Sequence, residues 1–191
     1  MSDDPANEDL SGKLLIAMPG MGDPRFDRSV IFLCAHSEDG AMGLIVNKPS
    51  SGVTFAELLE QLSIDPGMSP REIRVYFGGP VDTGRGFVLH SADYGTNSST
   101  LHVDDSFGMT ATLDVLEDIS EGRGPDNAIL ALGYAGWGPG QLEDEIRGNG
   151  WLTADASGEI VFDGNDEAKW SAALRTLGID PVLLSSTAGR A

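Results

Sequence analysis

A single cysteine, Cys34, among 191 residues excludes an intramolecular disulfide and any multi-cysteine zinc or cluster site. Lysine is nearly as scarce, with only Lys13, Lys48 and Lys169, and the arginines stand singly. No clustered basic stretch exists to neutralise phosphates, so direct nucleic-acid binding is not expected. No apolar run approaches the roughly 20 residues of a membrane-spanning helix. The N-terminus carries Asp3, Asp4, Glu8 and Asp9 where a secretion signal would be basic and then apolar. A soluble cytoplasmic protein with no membrane role is expected.

What is abundant is negative charge: 30 acidic residues against 12 basic ones give a net of −18. Apolar residues make up 40% and charged residues 22%, enough apolar surface for one core. Residues 1–11 are acidic and show no structural period, and read as a disordered or loosely docked tail. Residues 12–191 read as a single domain.

Short, partly β-branched apolar runs at Leu14–Ala17, Val30–Ala35 and Gly43–Val46 are separated by turn-rich segments, which predicts three strands, the last two in a hairpin. Thr54 followed by Glu57 has the form of a capping box, opening a helix whose buried stripe is Phe55, Leu58, Leu59 and Leu62. Ile73–Phe77 and Gly86–His90 read as another strand pair, and residues 93–100 as loop. A strand at Met109–Thr112 leads into a helix over residues 113–121. The most apolar segment, residues 127–137, is expected at the middle of the sheet. A short helix within 138–150, two strands around Ser157 and Gly158, and a helix from Asp166 to Leu177 with Trp170, Ala173, Leu174 and Leu177 inward complete the reading. Hairpin-length turns among helices predict an α/β sandwich: a mixed, largely antiparallel sheet flanked by helices.

Known chemistries find little footing. The Gly12-Lys13 pair lacks the earlier glycine of a Walker loop, because Asn7 stands there, and no three glycines make a dinucleotide fingerprint. His36-x-Glu38 and His102-x-Asp104 join no spaced ligand set, so neither a metal nor a cofactor is expected. Cys34 and His36, two apart on a strand, are expected to share one face. A hydrolase or acyl-transfer enzyme using Cys34 or Ser29 with His36 or His90 as base is therefore the alternative to a non-enzymatic role.

Four segments exceed what fold-building requires: AMPGMGDPRF (17–26), GAMGLIVNKP (40–49), FGGPVDTGRGFVLH (77–90) and LGYAGWGPGQLEDEI (132–146). Each runs from a strand end into a glycine- or proline-rich loop, where rigid scaffolds carry binding groups. In order and spacing these motifs resemble the AlgH family, also called the YqgE family, of small bacterial proteins. The resemblance spans nearly the whole ordered chain. It implies an α/β sandwich around a mixed sheet and no known catalytic residue. Members carry a transcriptional-regulator label, which here implies an indirect effect, given the charge. The expected activity is recognition of a protein or small-molecule partner through a shallow apolar cleft, by a monomer or weak homo-oligomer. Phe26, His36, Asn47, Pro80, His90, Tyr134, Trp137 and Gln141 are the candidate ligand-binding residues.

Overall fold

Alternation of apolar side chains gives almost every strand two buried faces, and the fold follows from covering both. The computed structural model describes residues 9–19, 26–65, 71–95 and 100–183. Nine strands appear in chain order: β1 (Lys13–Ala17), β2 (Val30–Ser37), β3 (Gly40–Ile45), β4 (Arg74–Phe77), β5 (Val81–Ser91), β6 (Thr100–His102), β7 (Phe107–Thr110), β8 (Ala128–Trp137) and β9 (Trp151–Asp155). The helices are α1 (Phe55–Gln61), α2 (Leu113–Ser120), α3 (Gln141–Arg147), α4 (Gly158–Val161) and α5 (Asp166–Thr176). Strand order is β6-β7-β5-β8-β3-β2-β1-β9, antiparallel throughout, with β4 added in parallel alongside β8. This is the expected α/β sandwich, with the 127–137 segment at its centre as β8 pairing with β3, β4 and β5.

The sheet curls strongly. β2 and β7 are four places apart in strand order, which in a flat sheet separates them by about 19 Å. Yet the rings of Phe32 and Phe107 meet at 4.8 Å between centroids. Inside the curl lie Leu14, Ile16, Val30, Phe32 and Cys34 from one half and Phe87, Leu89, Phe107, Ile129 and Ala131 from the other. α4 and α5 contribute Ile160, Val161, Trp170, Ala173 and Leu174 to the same interior. On the outer side, α3 covers Leu15, Ile31, Leu33, Ile45 and Trp151 through Leu142, while α1 and α2 cover Val75, Val88 and Leu130.

α5 is held by polar groups as well as by its stripe. Trp170 Nε1 donates to the Ala17 carbonyl at 2.9 Å. Lys169 is buried; its ammonium donates to the carbonyls of Val46 (2.7 Å) and Val161 (2.8 Å) and lies 3.1 Å from Asp166 Oδ1. Asp166 in turn accepts from the Tyr76 hydroxyl at 2.6 Å. A buried ammonium is tolerated only when paired and hydrogen-bonded in this way. The expected stripe is thus shifted: Lys169 occupies a core position and Leu177 is exposed.

Other expectations change. β4 and β5 do not pair with each other; both pair with β8, in opposite senses. A strand, β6, occupies residues where the sequence shows only a loop end. After β9 the chain forms α4 rather than a second strand, because the Ser157 side chain caps it by accepting from the Ile160 N–H. Thr54 does cap α1, accepting from the Glu57 N–H. Of the acidic tail, residues 1–8 lie outside the described residues. The packed chain begins before Gly12, since Leu10 is buried against the outer cluster.

The motif glycines sit where the sheet forks. β3 pairs with the end of β8 (Ala41 opposite Trp137, Gly43 opposite Ala135), and then the two diverge to admit β4. Gly78 occupies the fork: its N–H donates to the Leu132 carbonyl at 2.8 Å, and its carbonyl accepts from the Ile45 N–H at 2.9 Å. A Cβ on Gly78 would stand 2.3 Å from the Gly133 carbonyl oxygen, and one on Gly79 2.0 Å from the Tyr134 carbonyl carbon. Gly133 has φ +77°, and the alternation of β8 inverts there: Ile129 and Ala131 face inward, whereas Ala135 and Trp137 face outward. Gly78→Ala is expected to cost about 3 kcal/mol or more, because the obstructing atoms are backbone. Gly52→Ala, with open space around it, is expected to cost little. Chemical denaturation of both variants checks the contrast.

Candidate functional site

The β2–β3 hairpin is irregular where the sequence shows its most reactive residues. Leu33 lies opposite Gly43 and Ala35 opposite Met42, so Cys34 has no partner on β3. This bulge inverts the alternation of β2. Cys34 enters the inner cluster, whereas His36, opposite Ala41, emerges on the outer side under α3. The two side chains therefore lie on opposite faces, correcting the period-two expectation. Cys34 is buried, and desolvation pushes its thiol up to about 12.

His36 is almost wholly enclosed, with 4% of its side chain exposed. Its Nδ1 accepts from the backbone N–H of Leu10 at 3.0 Å, which requires the ring proton on Nε2. Nε2 donates it to Glu143 Oε1 at 2.5 Å. Desolvation works to raise the Glu143 carboxyl, but hydrogen bonds from His36 and from its own backbone outweigh it, leaving the carboxyl below its ordinary value. Both ring nitrogens are committed, so His36 ties the segment before β1 to α3 across the hairpin.

Around this tie lies an open groove of about 490 Å³ at the mouth of the curl. One wall is the hairpin, from Cys34 to Ser37 and Asp39 to Met42; the other is Leu101, His102 and Val103 of β6 and its following turn. Asp9 and Ser11 also line it, and Trp137 borders it from the outer cluster, 8% exposed, its indole edge-on to Trp151 at 6.0 Å. Gly40 permits this arrangement: a Cβ there would meet the Trp137 carbonyl oxygen at 2.3 Å.

Of the eight candidates, the structure brings His36 and Trp137 together on the groove, and places the other six elsewhere. Phe26 packs edge-on against Trp151 at 5.8 Å. Asn47 bridges backbone, accepting from the Val30 N–H (2.9 Å) and donating to the Arg28 carbonyl (2.8 Å). Pro80 precedes β5, and Tyr134 stands edge-on to Phe87 at 5.8 Å. Gln141 accepts from the Gly138 N–H at the start of α3. His90 is fully buried: Nδ1 donates to the Ser91 carbonyl at 2.8 Å, and Nε2 accepts from Thr110 at 2.9 Å. Ser29 is buried too, its hydroxyl without a partner among the described residues, so no serine–histidine pair is assembled. Leu101, His102, Met42 and Asp39 were not legible as groove residues, because a three-residue strand leaves no period and the curl joins positions far apart in sequence.

The class is an α/β sandwich with a curled, largely antiparallel sheet, an open groove, and Cys34, Ser29 and His90 sealed into the core. Residues 14–182 match the AlgH-like family, DUF179, and the chain belongs to it. A UPF0301 protein of Ruegeria pomeroyi is 64% identical over 185 residues, spanning 96% of this chain and 100% of its own. One from Cereibacter sphaeroides is 59% identical over 183 residues, with the same spans. The solution structure of AlgH from Pseudomonas aeruginosa superposes with a TM-score of 0.77 at 44% identity, covering 100% of both chains. The DIP2367 protein of Corynebacterium diphtheriae, at 24% identity and a TM-score of 0.72, shares the fold; it covers 95% of this chain and 93% of its own.

Two outcomes follow from the sealed groups. Iodoacetamide is expected to modify Cys34 about a hundredfold more slowly in the native protein than in the urea-unfolded chain, measured by mass spectrometry. Burial depresses the His90 pKa below its ordinary 6.5, so the unfolded chain takes up a proton that the folded chain refuses. That contribution to stability is full above pH 6.5 and is lost as pH falls through the folded-state value. The melting temperature of His90→Gln is therefore expected to fall less steeply between neutral and mildly acidic pH than that of the parent.

Proposed function

We propose that this AlgH-like protein is a non-enzymatic binding module, and that the groove beside His36 and Trp137 receives its protein or small-molecule ligand. The observation that carries the reading is a division of labour around one surface. The groove offers Met42, Leu101, Val103 and Trp137 as apolar contacts and Ser37, His102 and the carboxylates as polar ones, the usual balance of a recognition site. The groups the sequence offered for covalent chemistry are committed elsewhere: Cys34, Ser29 and His90 are enclosed, and both ring nitrogens of His36 are engaged. A cytoplasmic setting agrees with a free thiol kept from oxidation by burial.

The same reading favours an indirect route for any regulatory effect. Most of the described basic side chains have a partner within the chain. Arg28 lies over Trp170 and Arg85 over Phe87, Arg71 donates to the carbonyls of Pro125 and Asp126, and Arg147 pairs with Asp144. Lys13 pairs with Asp155, Arg123 with Glu121, and Lys169 is buried. With a net charge of −18, little remains to attract a phosphate backbone.

Ala35 is exposed on the groove wall, so Ala35→Trp fills the groove without disturbing the core. In an NMR screen of the labelled full chain against peptides and small solutes, binders are expected to shift the amides of residues 35–42 and 101–103 and the Trp137 indole N–H. Ala35→Trp is expected to abolish those shifts with its melting temperature unchanged. Binders that act at other surfaces and are indifferent to Ala35→Trp would overturn the assignment.

A further inference from the structure

Three features distinguish this groove from a generic apolar dent, and together they specify an occupant. The first is charge. Asp9 and Asp39 line it, while no lysine or arginine does. The Asp39 carboxylate has no partner among the described residues; the exposed Asp9 carboxylate accepts from the Ser11 backbone N–H at 2.9 Å and is held below its ordinary value by Ser11 and, to a lesser degree, by His36. Glu38 and Asp105 flank the two walls in sequence, next to Asp39 and two residues after Val103. Lys13, the lysine nearest in sequence to Asp9, is turned to Asp155 on β9.

The second feature is a backbone edge. Among the described residues β6 ends the sheet on one side and pairs with β7 alone. The Val103 N–H donates to the Phe107 carbonyl at 3.1 Å, which makes Val103, and Leu101 two residues earlier, the residues hydrogen-bonded toward β7. His102, between them, turns its N–H and C=O away from β7, and it lines the groove. An extended segment laid along β6 would meet that donor and acceptor, in the way exposed edge strands recruit peptides.

The third is the apolar floor. Leu101 is 44% exposed, the half-buried Met42 and Val103 line the same groove, and the buried Trp137 borders it. Alternate side chains of an extended segment point to opposite sides, so one set can reach apolar surface while the other reaches the carboxylates.

We propose that the occupant is an extended segment of a partner protein in which arginine or lysine alternates with aliphatic residues. Its backbone runs beside β6, its aliphatic side chains rest on Leu101, Met42 and Val103, and its cations face Asp9 and Asp39. The proposal rests on the binding-module reading and names the chemistry of its ligand. Two exposed carboxylates contribute modest attraction each, so selectivity comes from cations and apolar contacts being satisfied at once.

The test uses the labelled full chain in about 0.15 M salt, where screening beyond about 8 Å suppresses diffuse attraction to the acidic surface. Three terminally blocked hexapeptides are titrated: alternating arginine and leucine, the same with glutamine for arginine, and the same with glutamate. The arginine peptide is expected to shift residues 35–42, residues 101–103 and the Trp137 indole N–H. The glutamine peptide is expected to bind about tenfold more weakly, and the glutamate peptide not to bind. The double variant Asp9→Asn, Asp39→Asn is expected to weaken the arginine peptide about tenfold while leaving the glutamine peptide unchanged. Equal shifts from the glutamine or glutamate peptide at these amides would overturn the cationic assignment and leave the groove reading standing. Shifts spread over the acidic surface, indifferent to the double variant and to Ala35→Trp, would overturn both. No shift from any peptide would overturn the peptide proposal, and the solute screen with Ala35→Trp would then decide the groove alone.

Discussion

Two pieces of backbone pass within van der Waals contact at the centre of this protein, Gly78-Gly79 against Gly133-Tyr134, and the architecture depends on that approach. No side chain fits there, since any Cβ at Gly78, Gly79 or Gly133 would stand within 2.4 Å of the opposing main chain. The contact lets β4 enter between the diverging β3 and β8, so the central strand gains three partners instead of two. It also places the left-handed Gly133 in mid-strand, where the side-chain alternation inverts. Upstream of Gly133 the odd-numbered residues of β8 fill the interior of the curl; downstream they face α3. Trp137 reaches the groove because of that inversion, and the hairpin can lie against it because Gly40 has no side chain.

The same economy governs the polar groups inside. His90 is sealed by Ser91 and by a hydroxyl relay from Thr100 through Thr110, and Lys169 by two carbonyls and Asp166. Each would be a candidate catalytic group if judged by residue type alone. Each is satisfied from within, and a satisfied buried group rigidifies a core instead of meeting a ligand. His36 is the instructive intermediate: enclosed like the others, yet bordering open space, it fixes the position of the groove's end by holding Leu10 and Glu143 together.

Sequence patterns reveal much of the fold because strands buried on two faces need long apolar runs, and those of β1, β2 and β8 stand out. They fail where geometry departs from a uniform period. The extra residue at Cys34 reverses the face of His36, and neither residue type announces a bulge. α4 follows β9 because of a single serine cap, which local composition around Ser157 and Gly158 expresses equally well as a turn. Lys169 sits at a core position of α5 because, besides Asp166 on its own helix, its partners are Val46 just after β3, Tyr76 of β4 and Val161 of α4, all distant in sequence from the apolar stripe's period. The glycine motifs are visible as unusual, but their meaning is a crossing of distant backbones. For the groove, His36 and Trp137 were legible as polar and aromatic residues at strand ends. Leu101, His102 and Asp39 were not, since only the curl of the sheet brings β6 to the hairpin.

A surface this acidic has a cost and a use. Like charges in excess repel one another and oppose compaction, so the chain compensates with a core that occupies both sides of its sheet. The use lies in encounter. A net charge of −18 attracts cations over the whole surface, but screening limits each carboxylate to its neighbourhood and exposed pairs are individually weak. Discrimination among cationic partners therefore falls to places where charge adjoins accessible apolar area and unpaired backbone. The mouth of the curl combines Asp9 and Asp39 with Leu101, Met42 and, among the described residues, the outward-facing backbone of His102. Charge brings a partner to the molecule, and shape at this groove decides whether it stays.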